Sequence, residues 1–157
     1  MTATAQASGP QVGRQLWRLR GAAFSALVML IIQFAVGTVV NLYETVPKAD
    51  KGSGFLTAVG RALSNGPAGL AAHAGLGLLI FLAAVALLVR AIIARHRAAI
   101  GLSAVGLLAI VTAAVNGARF VSDGGQASAS MAMALATAVG MLCYAGCLLA
   151  LSGRTDG

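Results

Sequence analysis

The chain has 157 residues, of which 59% are hydrophobic and 10% are charged, and its mean hydropathy is +0.88. A soluble globular domain does not have this composition, so the sequence predicts an integral membrane protein. The formal net charge of +7 comes from basic residues that flank apolar stretches. This placement is typical of topology signals and lipid headgroup contacts, and no nucleic-acid partner is expected.

Four apolar stretches are each long enough to cross a bilayer. They are near-continuous runs rich in Ala, Leu and Gly, without the alternation of barrel strands. We therefore predict an all-α protein, an integral membrane four-helix antiparallel bundle formed by one domain over residues 21–151. The spans are predicted at residues 21–43, 67–93, 98–121 and 126–151. Residues 1–20 are predicted to be a disordered cytoplasmic tail, and residues 152–157 a second cytoplasmic tail.

The first loop has the clearest pattern outside the spans. Its apolar residues recur at helical spacing, which predicts a short amphipathic helix lying on the outer surface: Phe55, Leu56, Val59, Ala62 and Leu63. The alternative is a loop that packs on the bundle through a few apolar side chains.

The orientation follows from the positions of Lys and Arg. Seven of the eleven basic residues fall on the side that holds both termini and the second connection. Both termini are therefore predicted to be cytoplasmic. Trp17 is then expected at the inner interface and Tyr43 at the outer one, as aromatic anchors.

His73 is a histidine inside the second span, among small residues. An ionisable group within a membrane is costly and is a functional-site hypothesis by default. It lies six residues beyond Pro67, so it is expected about 9 Å down the helix, in the outer leaflet. The Ala and Gly residues around it leave room for the face of a porphyrin.

A b-type haem is one interpretation of His73. Met131 and Met133, on the fourth helix, are predicted at a depth close to that of His73, and a thioether is an established haem ligand opposite histidine. In an antiparallel bundle the second and fourth helices are diagonal, so ligands on them can point at one axis. Arg119, at the outer end of the third helix, is a candidate partner for a propionate.

The alternative is that His73 is a satisfied core residue. It would then hydrogen-bond to Asn41, Gln33 or Asn116, which lie on neighbouring spans. Small residues also let membrane helices pack closely, and Met is an ordinary gap filler. The candidate cofactor-binding set that covers both interpretations is His73, Met131, Met133, Arg119, Asn41 and Gln33, with His73 and Met131 as the metal ligands.

The pattern from Gln33 through Gly37 to Asn41, then Pro47, then Ala-Ala-His73-Ala-Gly resembles one four-helix half of the haem A synthase family. The resemblance implies that His73 matches the haem-ligating histidine of the second helix. The fourth helix departs from the family, since it has methionines where the family has a second histidine. The outer-loop cysteine pair and the catalytic-type glutamate of the family are also missing.

The chain also resembles small four-span membrane proteins of actinobacterial type, with Asn-Leu-Tyr after the first span and Asn-Gly-Ala-Arg after the third. This resemblance implies a self-contained bundle in a bacterial plasma membrane. No Asp or Glu lies well inside a span, so a proton-coupled antiporter is not expected. Cys143 and Cys147 are expected to be buried and reduced.

Three hypotheses for function follow. The first is a protein that binds haem b for electron transfer or haem handling. The second is a non-catalytic subunit or scaffold that packs through its glycines in a larger membrane complex or a homo-oligomer. The third is a binder of a quinone or lipid in the same outer-leaflet region. An electron carrier or accessory subunit is favoured over an autonomous enzyme.

Overall fold

A computed structural model describes residues 9–43, 54–64, 66–123 and 125–152. These residues form five α-helices, and no strand occurs among them. The all-α prediction is confirmed. In chain order the helices are α1 (Gly9–Tyr43), α2 (Phe55–Ser64), α3 (Ala68–Ile93), α4 (Arg97–Ser122) and α5 (Ala127–Ser152).

Helices α1, α3, α4 and α5 are long and apolar enough to cross a membrane. A helix of 26 residues is about 39 Å long, which exceeds the hydrocarbon core of about 30 Å. Helices suit this medium because their backbone polar groups are hydrogen-bonded internally. The helix bounds agree with the predicted spans to within one residue, except at the start of α1.

Helix α1 begins at Gly9, so the prediction of a disordered tail over residues 1–20 is wrong for residues 9–20. Arginines interrupt the apolar run there, but arginine is a good helix former. Leu19 is fully buried in the core, and Leu16 packs against it. Contacts with the bundle therefore hold α1 from Leu16 onward. Residues 1–8 and 153–157 lie outside the described residues, and Ser152 ends α5.

The four long helices form an antiparallel ring. Helix α1 packs against α3 and α5, and α4 packs against the same two helices. The diagonal pairs are therefore α1 with α4 and α3 with α5, as predicted for the second and fourth spans. Ring neighbours lie side by side and run in opposite directions: Leu30 of α1 packs on Gly140 of α5, and Gly106 of α4 packs on Tyr144.

The main cluster of buried residues occupies one half of the bundle, which we call the closed half. It extends from the layer of Leu30, Ile80 and Ile110 to the end that holds the α3–α4 turn. Its fully buried side chains include Leu19, Ile80, Leu87, Tyr144 and Cys147. We call this end the basic end, because arginines surround it, and the opposite end, where α2 lies, the α2 end.

The short helix predicted in the first loop is confirmed as α2. It packs against α3 and α4, with Ala62 buried and Leu63 in contact with Gly75 of α3. Leu56 points away from the bundle and is 82% exposed. The chain then turns sharply at Gly66, where a Cβ would lie 2.6 Å from the carbonyl oxygen of Ala62, so only glycine fits.

A histidine and glutamine pair between α1 and α3

The imidazole of His73 lies in the interface between α1 and α3, beyond the closed half on the side of the α2 end. It packs directly against Gly37 of α1: a Cβ placed on Gly37 would lie 2.8 Å from Cε1 and 3.4 Å from Nδ1 of His73. The ring therefore occupies the space that a side chain at position 37 would need. Glycine at this position lets α1 approach α3 closely.

Gln33 of α1 makes the reciprocal contact with α3. Its Nε2 lies 3.2 Å from the position that a Cβ of Gly77 would take. Each helix thus contributes one polar side chain and one glycine, and the glycine of one helix accommodates the polar side chain of the other. The two contacts lie one helical turn apart and set the antiparallel register of α1 and α3.

Hydrogen bonds join the two polar side chains. The amide Nε2 of Gln33 donates to the backbone carbonyl of His73 at 3.0 Å and lies 3.3 Å from Nε2 of the imidazole. The carbonyl contact fixes the orientation of the amide, since the reverse orientation would place two acceptors together. An amide nitrogen only donates, so the imidazole Nε2 must accept. The ring is therefore neutral, with its proton on Nδ1.

Two polar atoms of this pair are buried and have no hydrogen-bond partner among the described residues. They are Nδ1 of His73, a donor in this tautomer, and Oε1 of Gln33, an acceptor. A buried polar group without a partner costs free energy, and water cannot compensate for it in hydrocarbon. The pair therefore presents one unused donor and one unused acceptor within the membrane.

The two candidate thioethers do not face His73. Met133 lies at about the depth of His73. Leu30 packs on Gly140, and Asn41 is hydrogen-bonded to Ser130, which fixes the antiparallel register of α1 and α5. In this register Gly37, which packs on His73, is level with Met133. However, Sδ of Met133 packs against Gly117 of α4, where a Cβ would lie 3.3 Å away. Met131 is 67% exposed on the outside of the bundle. This arrangement does not place a second axial haem ligand opposite His73.

Asn41 lies at the α2 end, where its Oδ1 accepts a hydrogen bond from the hydroxyl of Ser130 at 3.2 Å. Asn116 donates to the carbonyl of Thr112 in its own helix. Of the three polar residues considered as partners of His73, Gln33 is therefore the one that the structure brings to it.

Arg119 is exposed near the end of α4 and lines an open cavity of about 250 Å³. The cavity lies between the ends of α4 and α5, and its other lining residues are Asn116, Asp123, Gln126, Ser128 and Ala129. His73 is not among them, so Arg119 and His73 belong to different surfaces of the bundle.

The closed half contains polar groups of its own, on α4 and α5. The ring of Tyr144 lies 3.0 Å from the Cβ position of Gly106, and its buried hydroxyl has no partner among the described residues. Sγ of Cys147 lies 3.8 Å from the hydroxyl of Ser103. A tyrosine inside an apolar span is a signal that could have drawn attention to this layer. Cys143 and Cys147 are both buried free thiols, as predicted.

Most of the glycines considered as contacts with other proteins are used inside the chain. Gly37 faces His73, Gly77 faces Gln33 and Gly106 faces Tyr144. Gly75 meets Leu63 of α2, whereas a Cβ on Gly101 would meet nothing within 4 Å. Glycine content alone therefore gives little support to an interface with another protein.

Comparison with protein-family models, with curated proteins and with solved structures finds no match to this chain. The resemblances described above stay predictions, and a function has to be argued from the site itself.

Proposed function

We propose that this multi-pass membrane protein binds a lipid-soluble quinone through His73 and Gln33. The observation that supports this proposal is the unused donor and acceptor of the pair. Nδ1–H of His73 can donate to a quinone carbonyl, and Oε1 of Gln33 can accept from the hydroxyl of the reduced quinol. The two atoms together therefore suit both redox forms of the ligand.

The surroundings of the pair also suit a ligand that dissolves in the membrane. His73 and Gln33 are partly buried as residues, and the nearby surfaces of α1 and α3 expose apolar side chains, among them Phe34, Leu78 and Leu79. Such surfaces face lipid in a membrane protein. Nδ1 of His73 and Oε1 of Gln33 are themselves buried, so a quinone that approaches from the bilayer binds only after the Gln33 side chain moves and uncovers them.

The orientation that we propose places both termini in the cytoplasm of a bacterial cell and the quinone site in the outer half of its plasma membrane. The arginines at the basic end support this orientation, since cytoplasmic loops carry an excess of basic residues. Trp17 and Tyr43 support it as well, because both are highly exposed and they lie about 39 Å apart along α1. This spacing suits side chains at the two interfaces of one bilayer.

The haem b predicted from the sequence stays an alternative proposal. It keeps His73 as a ligand, but the Gln33 amide would first have to release Nε2, and a second axial ligand would have to come from a rearranged helix or from a partner. A role as accessory subunit of a larger complex is compatible with either ligand.

The test is to purify the full chain in a mild detergent, extract bound lipids and quantify quinones by chromatography. We expect about one quinone per protein. Both His73→Ala and Gln33→Leu should lower retention by about tenfold, which corresponds to one lost hydrogen bond of about 1.4 kcal/mol. Thr112→Val is the matched control, because this hydroxyl bonds only within its own helix.

Retention that is equal in the wild type and in both site variants would contradict the proposal. The visible spectrum of the same preparation, oxidised and then reduced with dithionite, tests the alternative. A Soret band that is present in the wild type and absent in His73→Ala would support haem b as the ligand in place of the quinone.

A further inference from the structure

The basic end concentrates positive charge from three helices. The antiparallel register of α1 and α3, in which Gly37 faces His73 and Gln33 faces Gly77, places Leu16 and Leu19 at the level of Ala94 and Ala91, so this part of α1 lies beside the α3–α4 turn. Exposed arginines surround these levels on α1, on the last turn of α3 and at the start of α4: Arg14, Arg18, Arg20, Arg90, Arg95 and Arg97.

No carboxylate lies near Arg90, Arg95 or Arg97 within the part of the chain that the structure describes. Asp123, the one acidic residue in that part, follows α4 at the opposite end of the bundle. The basic end is therefore a cationic surface at the level where a bilayer presents its headgroups.

Arg95 occupies a backbone position that usually belongs to glycine. Its φ is 52°, in the left-handed region. The helix end has the hydrogen bonds of a Schellman motif: the N–H of His96 donates to the carbonyl of Ala91 at 3.2 Å, and the N–H of Arg95 donates to that of Ile92 at 3.0 Å. At this position glycine is favoured because a Cβ is strained. An arginine here has a conformational cost that its local contacts do not explain.

Hydrogen bonds order the backbone of the turn that carries Arg95 and Arg97. His96 between them is buried, and its Nδ1 accepts a hydrogen bond from the N–H of Ala99 at 3.2 Å, which caps α4. Arg95 and Arg97 therefore flank a buried residue in a hydrogen-bonded turn, and both side chains are exposed. The planar guanidinium group of arginine is well suited to bind phosphate oxygens in bidentate fashion.

We infer that the basic end binds the phosphate of anionic phospholipids of the surrounding leaflet, and that Arg95 and Arg97 of the α3–α4 turn form the centre of this site. The arginines of α1 and Arg90 add to the electrostatic attraction. Each basic residue near an anionic membrane surface strengthens binding by about fivefold, which corresponds to about 1 kcal/mol. The strained backbone at Arg95 is then compensated by the interaction of its side chain with lipid.

The experiment uses the full chain in nanodiscs of phosphatidylcholine that contain increasing amounts of phosphatidylglycerol. Lipids that stay bound after transfer to detergent are counted by native mass spectrometry. We expect the wild type to retain phosphatidylglycerol preferentially. Arg95→Gln and Arg97→Gln should each lower this retention by about fivefold, and the double variant by about 25-fold if the effects are additive. Arg119→Gln, at the opposite end, is the matched control and should retain as much as the wild type.

Arg95→Gly separates a lipid site from a merely structural role. Glycine relieves the strain of the left-handed position, so this variant should melt at a higher temperature than the wild type in pure phosphatidylcholine nanodiscs. It should nevertheless lose phosphatidylglycerol retention as Arg95→Gln does.

Unchanged retention in Arg95→Gln and Arg97→Gln would overturn the inference, and so would an equal loss in Arg119→Gln. A short single-stranded oligonucleotide serves as a second anionic probe. Binding of the oligonucleotide without any preference for phosphatidylglycerol would assign the surface to nucleic acid and would also overturn the inference.

Discussion

The two halves of the bundle differ in how they use their polar side chains. In the closed half, the Tyr144 ring fills the core against Gly106 and its hydroxyl is completely enclosed. In the other half, His73 and Gln33 lie between only two helices and are partly exposed as residues, although Nδ1 of His73 and Oε1 of Gln33 are buried as well. Helix α3 shows the same difference, because its buried residues run from Ile80 to Ala91 and none precedes Ile80.

Close helix contact through glycine therefore serves two purposes in this chain. In the closed half this contact leaves no open space beside the tyrosine ring and stabilises the bundle. Beside His73 it holds two polar groups in a defined position but leaves them near the lipid. A ligand site in a bundle without a large cavity can arise in this way, where packing is tight enough to orient side chains and open enough to admit a partner.

The largest expected effect is that of removing the Tyr144 side chain. Tyr144→Ala leaves a cavity in the core of the closed half and should lower the free energy of unfolding by about 3 kcal/mol. Leu142→Ala is the control on the same helix, since Leu142 is 73% exposed and should cost less than about 0.5 kcal/mol. Unfolding in mixed micelles with increasing sodium dodecyl sulfate measures both. Similar losses in the two variants would mean that the halves do not differ in packing.

An intermediate effect is expected for Gly37→Leu. The new side chain would collide with the imidazole of His73, and such overpacking costs about 1–3 kcal/mol. The same change at Gly101, where nothing lies within 4 Å of the Cβ position, should be tolerated. Gly37→Leu should also abolish quinone retention, which Gly101→Leu should preserve. If Gly37→Leu retains quinone as the wild type does, the pair does not form the binding site.

The smallest effect has the opposite sign. Tyr144→Phe removes a buried hydroxyl that has no partner among the described residues and should raise the free energy of unfolding by about 1 kcal/mol. Tyr43→Phe, at a tyrosine that is 79% exposed, should leave stability unchanged. A loss of stability in Tyr144→Phe would show that the hydroxyl has a partner in the membrane, and the closed half would then contain a polar site of its own.

Part of the site was predictable, because the cost of a polar group in hydrocarbon singles out His73 from the sequence alone. The partner of His73 could not be predicted, because Gln33, Asn41 and Asn116 all lie on neighbouring spans. Only the tertiary contacts of Gln33 with Gly77 and His73 identify it as the partner. The directions of the Met131 and Met133 side chains were not predictable for a related reason. Depth follows from counting residues along a helix, whereas the direction of a side chain depends on how each helix is rotated against its neighbours.

The class of this protein, the number of its long helices, most of their ends and the presence of the short helix α2 could be predicted from the sequence. These features follow from apolar length and periodicity, which are local properties and need no knowledge of neighbours. The extension of α1 to Gly9 was not predicted, since arginines end an apolar run without ending a helix. The tertiary structure alone decided which glycine faces which side chain and where the core closes. Those choices depend on interhelical packing, and many rotations of an apolar helix have similar local energies until its neighbours are in place.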